Sequence, residues 1–180
     1  MHQVSLMSEI YKRCSHAYLW LGCPQEPISI KCDPFSLVHH FADNRDWFDI
    51  PGYSHNSKIG QREFQENRSF WSIWHSFCAV AQSLWWTRVW TVQESVLPPS
   101  TTAVYAHWQT SWSRVESACL ARNRHTDTYC GQDMQVFPRL LRKLLDDFFA
   151  RVSSIRDAYE AYTTNLLAYL RGTVRLYGAR

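Results

Sequence analysis

Apolar residues recur at helical spacing from the start of the chain. Val4, Met7, Tyr11 and Cys14 share one face, with Leu6 and Ile10 beside it, which predicts a helix over residues 2–14. The period changes at Ala17-Tyr18-Leu19-Trp20-Leu21-Gly22, a continuous apolar run closed by glycine. Such a run predicts a buried strand of the parallel-sheet kind. Pro34 then opens a short helix carrying Phe35, Val38, Phe41 and Ala42. Polar positions dominate 43–67, broken by Pro51-Gly52, and predict an irregular connection. A connection of that length inside a domain marks an insertion or a functional segment.

The strongest periodicity lies over 69–85, where Phe70, Ile73, Trp74, Phe77, Cys78, Ala81, Leu84 and Trp85 fall at three- and four-residue steps. Residues 86–97 contain the strand-like Val-Trp-Thr-Val. Trp86, Val89, Trp90, Gln93, Val96 and Leu97 nevertheless lie on one helical stripe, and Pro98-Pro99 forbids its continuation, so a helix is predicted there too. Thr101–Ala106, β-branched and aromatic, predicts a second strand. Ser113-x-x-Glu116 has the form of a capping box opening a helix to about Arg124. Pro138 starts a helix with Leu141, Leu144, Leu145, Phe148, Phe149 and Val152 on one side. A last helix follows from about Ser154, with Ile155, Tyr159, Tyr162, Leu166 and Tyr169 inward, ended by Gly172. Helix, tight link and buried strand are a piece of a wound α/β layout. Two strands are too few for its sheet, so either strands are hidden in the pattern or part of the domain is missing.

Composition is globular: 180 residues, 46% hydrophobic and 19% charged. Trp, Tyr and Phe number nine each, and rings bury much area per residue, so most are expected in the core. The net charge of +3 comes from scattered basic residues, without a basic stripe or arginine-rich arm, which argues against nucleic-acid binding. No apolar stretch approaches 18 residues, so no membrane span is expected. The six cysteines form no C-x-x-C pair, and Cys78 and Cys119 fall in apolar helical patterns. Cys14, His16, Cys23 and Cys32 cluster, but at spacing unlike structural zinc ligand sets; reduced thiols and a cytoplasmic location are the expectation. No metal site is expected. His39-His40 are adjacent on a helix and point apart. Ser72, His75 and Ser76 lack a convergent acid, and no glycine-rich phosphate loop exists.

The stretch Trp85-Trp86-Thr87-Arg88-Val89-Trp90-Thr91-Val92-Gln93-Glu94 resembles the most distinctive block of fungal heterokaryon-incompatibility (HET) domains, an aromatic pair before S-R-V-W-x-x-Q-E, with Thr87 in place of Ser. Glu9-Ile10-Tyr11 through Gly22 resembles the family's I-Y-x-x-A…V-x-V-W-L-G segment. Trp108 through Trp112 is similar to its G-x-x-x-x-W region, with His107 in place of Gly, and Arg156-Asp157-x-Tyr159 is a weaker match to R-D-x-V-Y. The family's opening Y-x-A-L-S-Y-x-W-G and W-[IV]-D-A-[IL]-C-I-N-Q blocks are absent. The resemblance therefore implies the C-terminal portion of a HET domain over 1–125, lacking its first strands, and a helical extension over 126–180.

The resemblance implies an α/β fold: an incomplete flavodoxin/TIR-like parallel sheet with flanking helices and a helix-rich C-terminal part. It implies a module for self/non-self recognition and regulated cell death, an innate-immunity-like role exercised through a protein partner or self-association. TIR-like enzymes that cleave NAD place a Glu four residues after a Trp, and Trp90-x-x-x-Glu94 has that spacing. On a helix this step puts both side chains on one face. The alternatives are thus an NAD hydrolase with Glu94 catalytic, Trp90 and Arg88 binding the NAD substrate, or a degenerate fragment without function. A third role for Glu94 is structural, as a boundary carboxylate paired with a residue such as Arg88.

Overall fold

The computed structural model describes residues 2–24, 32–46, 49–50, 68–88, 91–126 and 139–177. Helix α1 (His2–Arg13) leads into β1 (Ala17–Gly22), and α2 (Ser36–Ala42) follows. Helix α3 (Arg68–Ala81), a 3-10 turn (Leu84–Thr87) and α4 (Thr91–Val96) precede the hairpin of β2 (Thr101–Tyr105) and β3 (Trp108–Ser111). Helices α5 (Trp112–Thr126) and α6 (Arg139–Tyr177) complete the chain. No described helix is long and apolar enough to cross a membrane.

The chain is α/β, with a three-stranded sheet of order β1-β2-β3 and a helix-rich C-terminal part. The expected parallel sheet is corrected to a mixed one. β1 runs parallel to β2, Leu19 opposite Ala103, whereas β3 returns antiparallel, Ala103 opposite Thr110. β3 is the strand hidden in the sequence. Its Trp-Gln-Thr-Ser is too short and polar to show a period. The two-residue turn Ala106-His107 carries no glycine, although Ala106 sits at φ 53°, in the left-handed region that a β carbon disfavours.

The predicted buried strand is buried on one face only. Leu19 and Leu21 enter the core, while Tyr18 and Trp20 on the other face are 70% and 57% exposed. A strand of a parallel sheet reads as continuously apolar when helices cover both its faces. Among the described residues the helices cover the Leu19 face.

Beneath that face lies a chain of ring contacts. Trp74 meets Phe77 edge-on at 5.9 Å, Phe77 meets Phe148 at 5.1 Å, and Phe148 touches both Phe149 and Trp86. Trp86 continues to Trp85 at 4.9 Å and Trp85 to Trp112 at 5.9 Å, while Phe149 reaches Phe41 of α2. Edge-to-face rings at these separations add to the burial itself. The expectation that most tryptophans serve packing holds for Trp74, Trp85 and Trp112, all buried. Cys119 is buried in the same core.

Four helix boundaries differ from the pattern. Helix α3 stops at Ala81, short of the predicted Trp85, because Ser83 turns extended. The Ser83 hydroxyl donates to the Leu21 carbonyl on β1 and accepts the Trp85 N–H, so its side chain opens the next turn. The single helix expected over 86–97 is replaced by the 3-10 turn, an extended Arg88 at ψ 142° and the short α4. The capping box shifts by two residues. Ser111 accepts the Arg114 N–H at 3.3 Å, and Glu116 instead accepts the Trp112 indole N–H at 3.0 Å. The two helices expected after Pro138 are one, since Phe149, Val152 and Ile155 keep helical spacing through Ser153-Ser154 and all are buried. Pro138 and the side chains of Tyr162, Leu166 and Tyr169 lie outside the described residues. Asp146 pairs with Arg122 and ties α5 to α6.

His39 and His40 do point apart. His39 Nε2 lies 3.0 Å from the Thr110 hydroxyl of β3, whereas His40 Nε2 donates to the Asp46 carbonyl at 2.7 Å and its ring stands edge-on to Phe41. Burial lowers the His40 pKa below the usual imidazole range, with Arg45 lowering it further and the Asp46 bond opposing. The folded state therefore holds His40 neutral while the unfolded chain binds its proton more readily. The stabilisation is complete above about pH 6.5 and is lost as pH falls through the folded value. His40→Gln should flatten the acid limb of urea stability measured between about pH 7.5 and 5. At the hairpin, Ala106→Gly should raise stability by about 0.5–1 kcal/mol in the same denaturation assay, by removing the β carbon from a left-handed position.

Candidate functional site

Glu94 sits in the first turn of α4 and is 6% exposed, a burial that a carboxylate tolerates only with donors around it. Three surround it. The Trp85 indole N–H donates to Oε2 at 2.8 Å, the Tyr11 hydroxyl to Oε1 at 3.2 Å, and the Arg88 guanidinium lies against both oxygens, at 2.9 and 3.4 Å. The partners come from three elements: α1, the 3-10 turn and the extended link. Burial pushes the Tyr11 phenol pKa up, and the Glu94 charge and hydrogen bond push it further, while Arg88 opposes.

This geometry explains the broken helix. Trp85 and Glu94 are nine residues apart, which in a continuous α-helix separates them by about 13.5 Å along the axis. A 2.8 Å bond between their side chains requires the chain to turn back between them. The extended backbone at Arg88 ends the 3-10 turn, and the Arg88 guanidinium lies on the carboxylate. Trp90, expected one helical turn from Glu94, lies outside the described residues.

Beside this brace, a cleft of about 610 Å³ opens at the C-terminal ends of β1 and β2. Its walls include Trp20, Gly22, Cys23, Trp85, Arg88 and Tyr105. Open α/β sheets place ligands at this end of their strands. Gly22 ends β1 at φ 119°, where a side chain would be strained, and the register slips between Trp20 and Gly22. Burial raises the Tyr105 phenol pKa, with a smaller push from Cys23. Of the residues singled out in the sequence, Arg88 reaches both the cleft and the brace. Glu94 does not line the cleft; Trp85 is shared by cleft and carboxylate.

The sequence pattern points to neither Tyr11 nor Trp85 as a partner of Glu94. Tyr11 lies 83 positions away in sequence, and no local pattern encodes that meeting. Among the described residues no group of three or more His, Cys, Asp or Glu is placed to hold a metal ion. Removing the carboxylate would leave the indole N–H of a buried Trp85 without its acceptor. Glu94→Ala should therefore cost about 2–3 kcal/mol of unfolding free energy by urea titration, and Glu94→Gln, which keeps an acceptor, should cost less.

A family model described as Heterokaryon incompatibility protein (HET) matches residues 1–94, 94 of the 180 in the chain. Comparison with curated proteins and with solved structures finds no match. The matched stretch supplies every group of the Glu94 brace, from Tyr11 on α1 to the carboxylate itself at its last residue. On the strength of that match, the chain belongs to the heterokaryon incompatibility (HET) family.

Proposed function

We propose that this HET-family chain is a self/non-self recognition module that acts by protein–protein association and contributes in that way to cell-death signalling. The observation that carries the reading is the outer face of β1. Tyr18 and Trp20 stand exposed side by side on the edge strand of the sheet, while the alternate Leu19 and Leu21 are buried. Among the described residues β1 pairs with a strand on one side only, and large rings on such a strand are an adhesive surface with area to bury. A sheet edge of this kind serves association with a second copy or with a partner chain.

The NAD-hydrolase alternative has less support. A catalytic carboxylate must face the substrate, and Glu94 is turned inward to three donors and is absent from the walls of the strand-end cleft. We assign Glu94 the role of a brace that holds α1, the 3-10 turn and α4 together under the association face, with Arg88 as its counter-charge.

Light scattering across a concentration series tests the association. The wild-type chain is expected to self-associate, and the double variant Tyr18→Ser with Trp20→Glu to remain monomeric, with its melting temperature within about 2 °C of wild type because both positions are exposed. Equal association by the two proteins would sink the assignment of this face.

A further inference from the structure

A second cleft, of about 510 Å³, opens at the N-terminal end of β2, between α4, the start of α5 and the middle of α6. Thr101, Glu116, Leu120, Arg156, Tyr159 and Glu160 are among its walls. Thr101 is 8% exposed, and its hydroxyl is buried with no hydrogen-bond partner among the described residues. The Nε of Arg156 is in the same condition. The Arg156 ion pairs are long, 3.5 Å to Asp157 and 3.8 Å to Glu160. Glu116 accepts the Trp112 indole N–H, and burial pushes its carboxyl pKa up, opposed by that bond and by Arg156.

Buried polar groups in folded proteins are nearly always paired, and each exception calls for a reason. The two residues that carry these exceptions both line one cleft, and their unmet hydrogen bonds define what would complete it. Arg156 Nε needs an acceptor. The Thr101 hydroxyl takes either a donor or an acceptor, and Glu116 retains lone pairs for a donor. A bare anion would meet Glu116 and Glu160, and a bare cation would meet Arg156. An amide answers all three, with a carbonyl acceptor and an N–H donor in one planar unit. The rim adds an apolar contact, since Leu120 is exposed and Val96 also lines the cleft.

We propose that this cleft binds a short peptide segment of a protein partner. Its amide carbonyl is held by Thr101 and Arg156, its N–H by Glu116, and an apolar side chain rests on Leu120. The partner being a protein rests on the association reading above, whereas the amide chemistry rests on the cleft alone.

The test uses the full chain and N-acetyl-leucine amide, a probe that carries amides and one apolar side chain. Proton–nitrogen NMR titration should show saturable shifts at the Trp112 indole N–H in the wild-type chain. Thr101→Val, which keeps the shape and removes the hydroxyl, should weaken the probe by about five- to tenfold and raise the melting temperature by about 2–4 °C, because an unpaired buried hydroxyl is lost. Leu120→Ser at the exposed rim should also weaken it without touching the core. Absence of saturable shifts in wild type, unchanged affinity in both variants, or a fall in melting temperature for Thr101→Val would overturn the proposal. The Tyr18→Ser, Trp20→Glu chain separates the two readings. Probe binding that survives there while association is lost shows that the cleft and the strand face are distinct; association without probe binding in wild type rejects the cleft alone.

Discussion

A buried carboxylate cannot stand alone, and the demands of Glu94 shape the middle of this molecule. Its two oxygens gather an indole N–H, a phenol and a guanidinium from three separate elements. The chain between Trp85 and Glu94 must fold back to satisfy them, so a stretch with helical periodicity throughout becomes a 3-10 turn, an extended residue and a short helix. Truncating one partner of such a cluster leaves the others buried and unsatisfied, which is why a few polar contacts can govern backbone geometry that burial alone would leave undetermined. Helix α1 gains part of its attachment here, through Tyr11.

Around that polar knot the aromatic residues do the bulk of the packing. The contacts from Trp74 through Phe77, Phe148, Trp86 and Trp85 to Trp112 link α3, α6, the 3-10 turn and α5 in one continuous series. Trp85 belongs to both systems: its ring joins the series and its N–H serves Glu94. Ring packing and carboxylate satisfaction are therefore coupled at one side chain. The same core covers one face of the sheet, and Tyr18 and Trp20 mark the other. The exposed ring pair and the Glu94 brace are consequences of one arrangement, since the helices gathered by the core lie on the Leu19 side.

Much of the fold was legible in the residues. The α1 and β1 boundaries, the apolar stripe of α3, the strand at Thr101 and the inward positions of α6 from Leu141 to Ile155 follow from period and breakers, because a repeat of 3.6 or 2 states which face is apolar. β3 was not legible, being four residues with polar alternates and an alanine in its turn where glycine would have signalled a hairpin. The candidate site was half legible: Arg88 and Glu94 stood out by motif, and their pairing is realised, but the partners Tyr11 and Trp85 were not.

The sequence by itself determined the family, the α/β class and most element types, since these reside in local order and in short-range periodicity. Only the tertiary structure decided that β1 is covered on one side, that Glu94 faces inward rather than toward the cleft at the strand ends, and that Thr101 and Arg156 border a common cleft. The physical reason is that periodicity records that a face is apolar, not what will cover it. Hydrogen-bond demand records that a buried group needs a partner, not which distant residue will arrive to meet it.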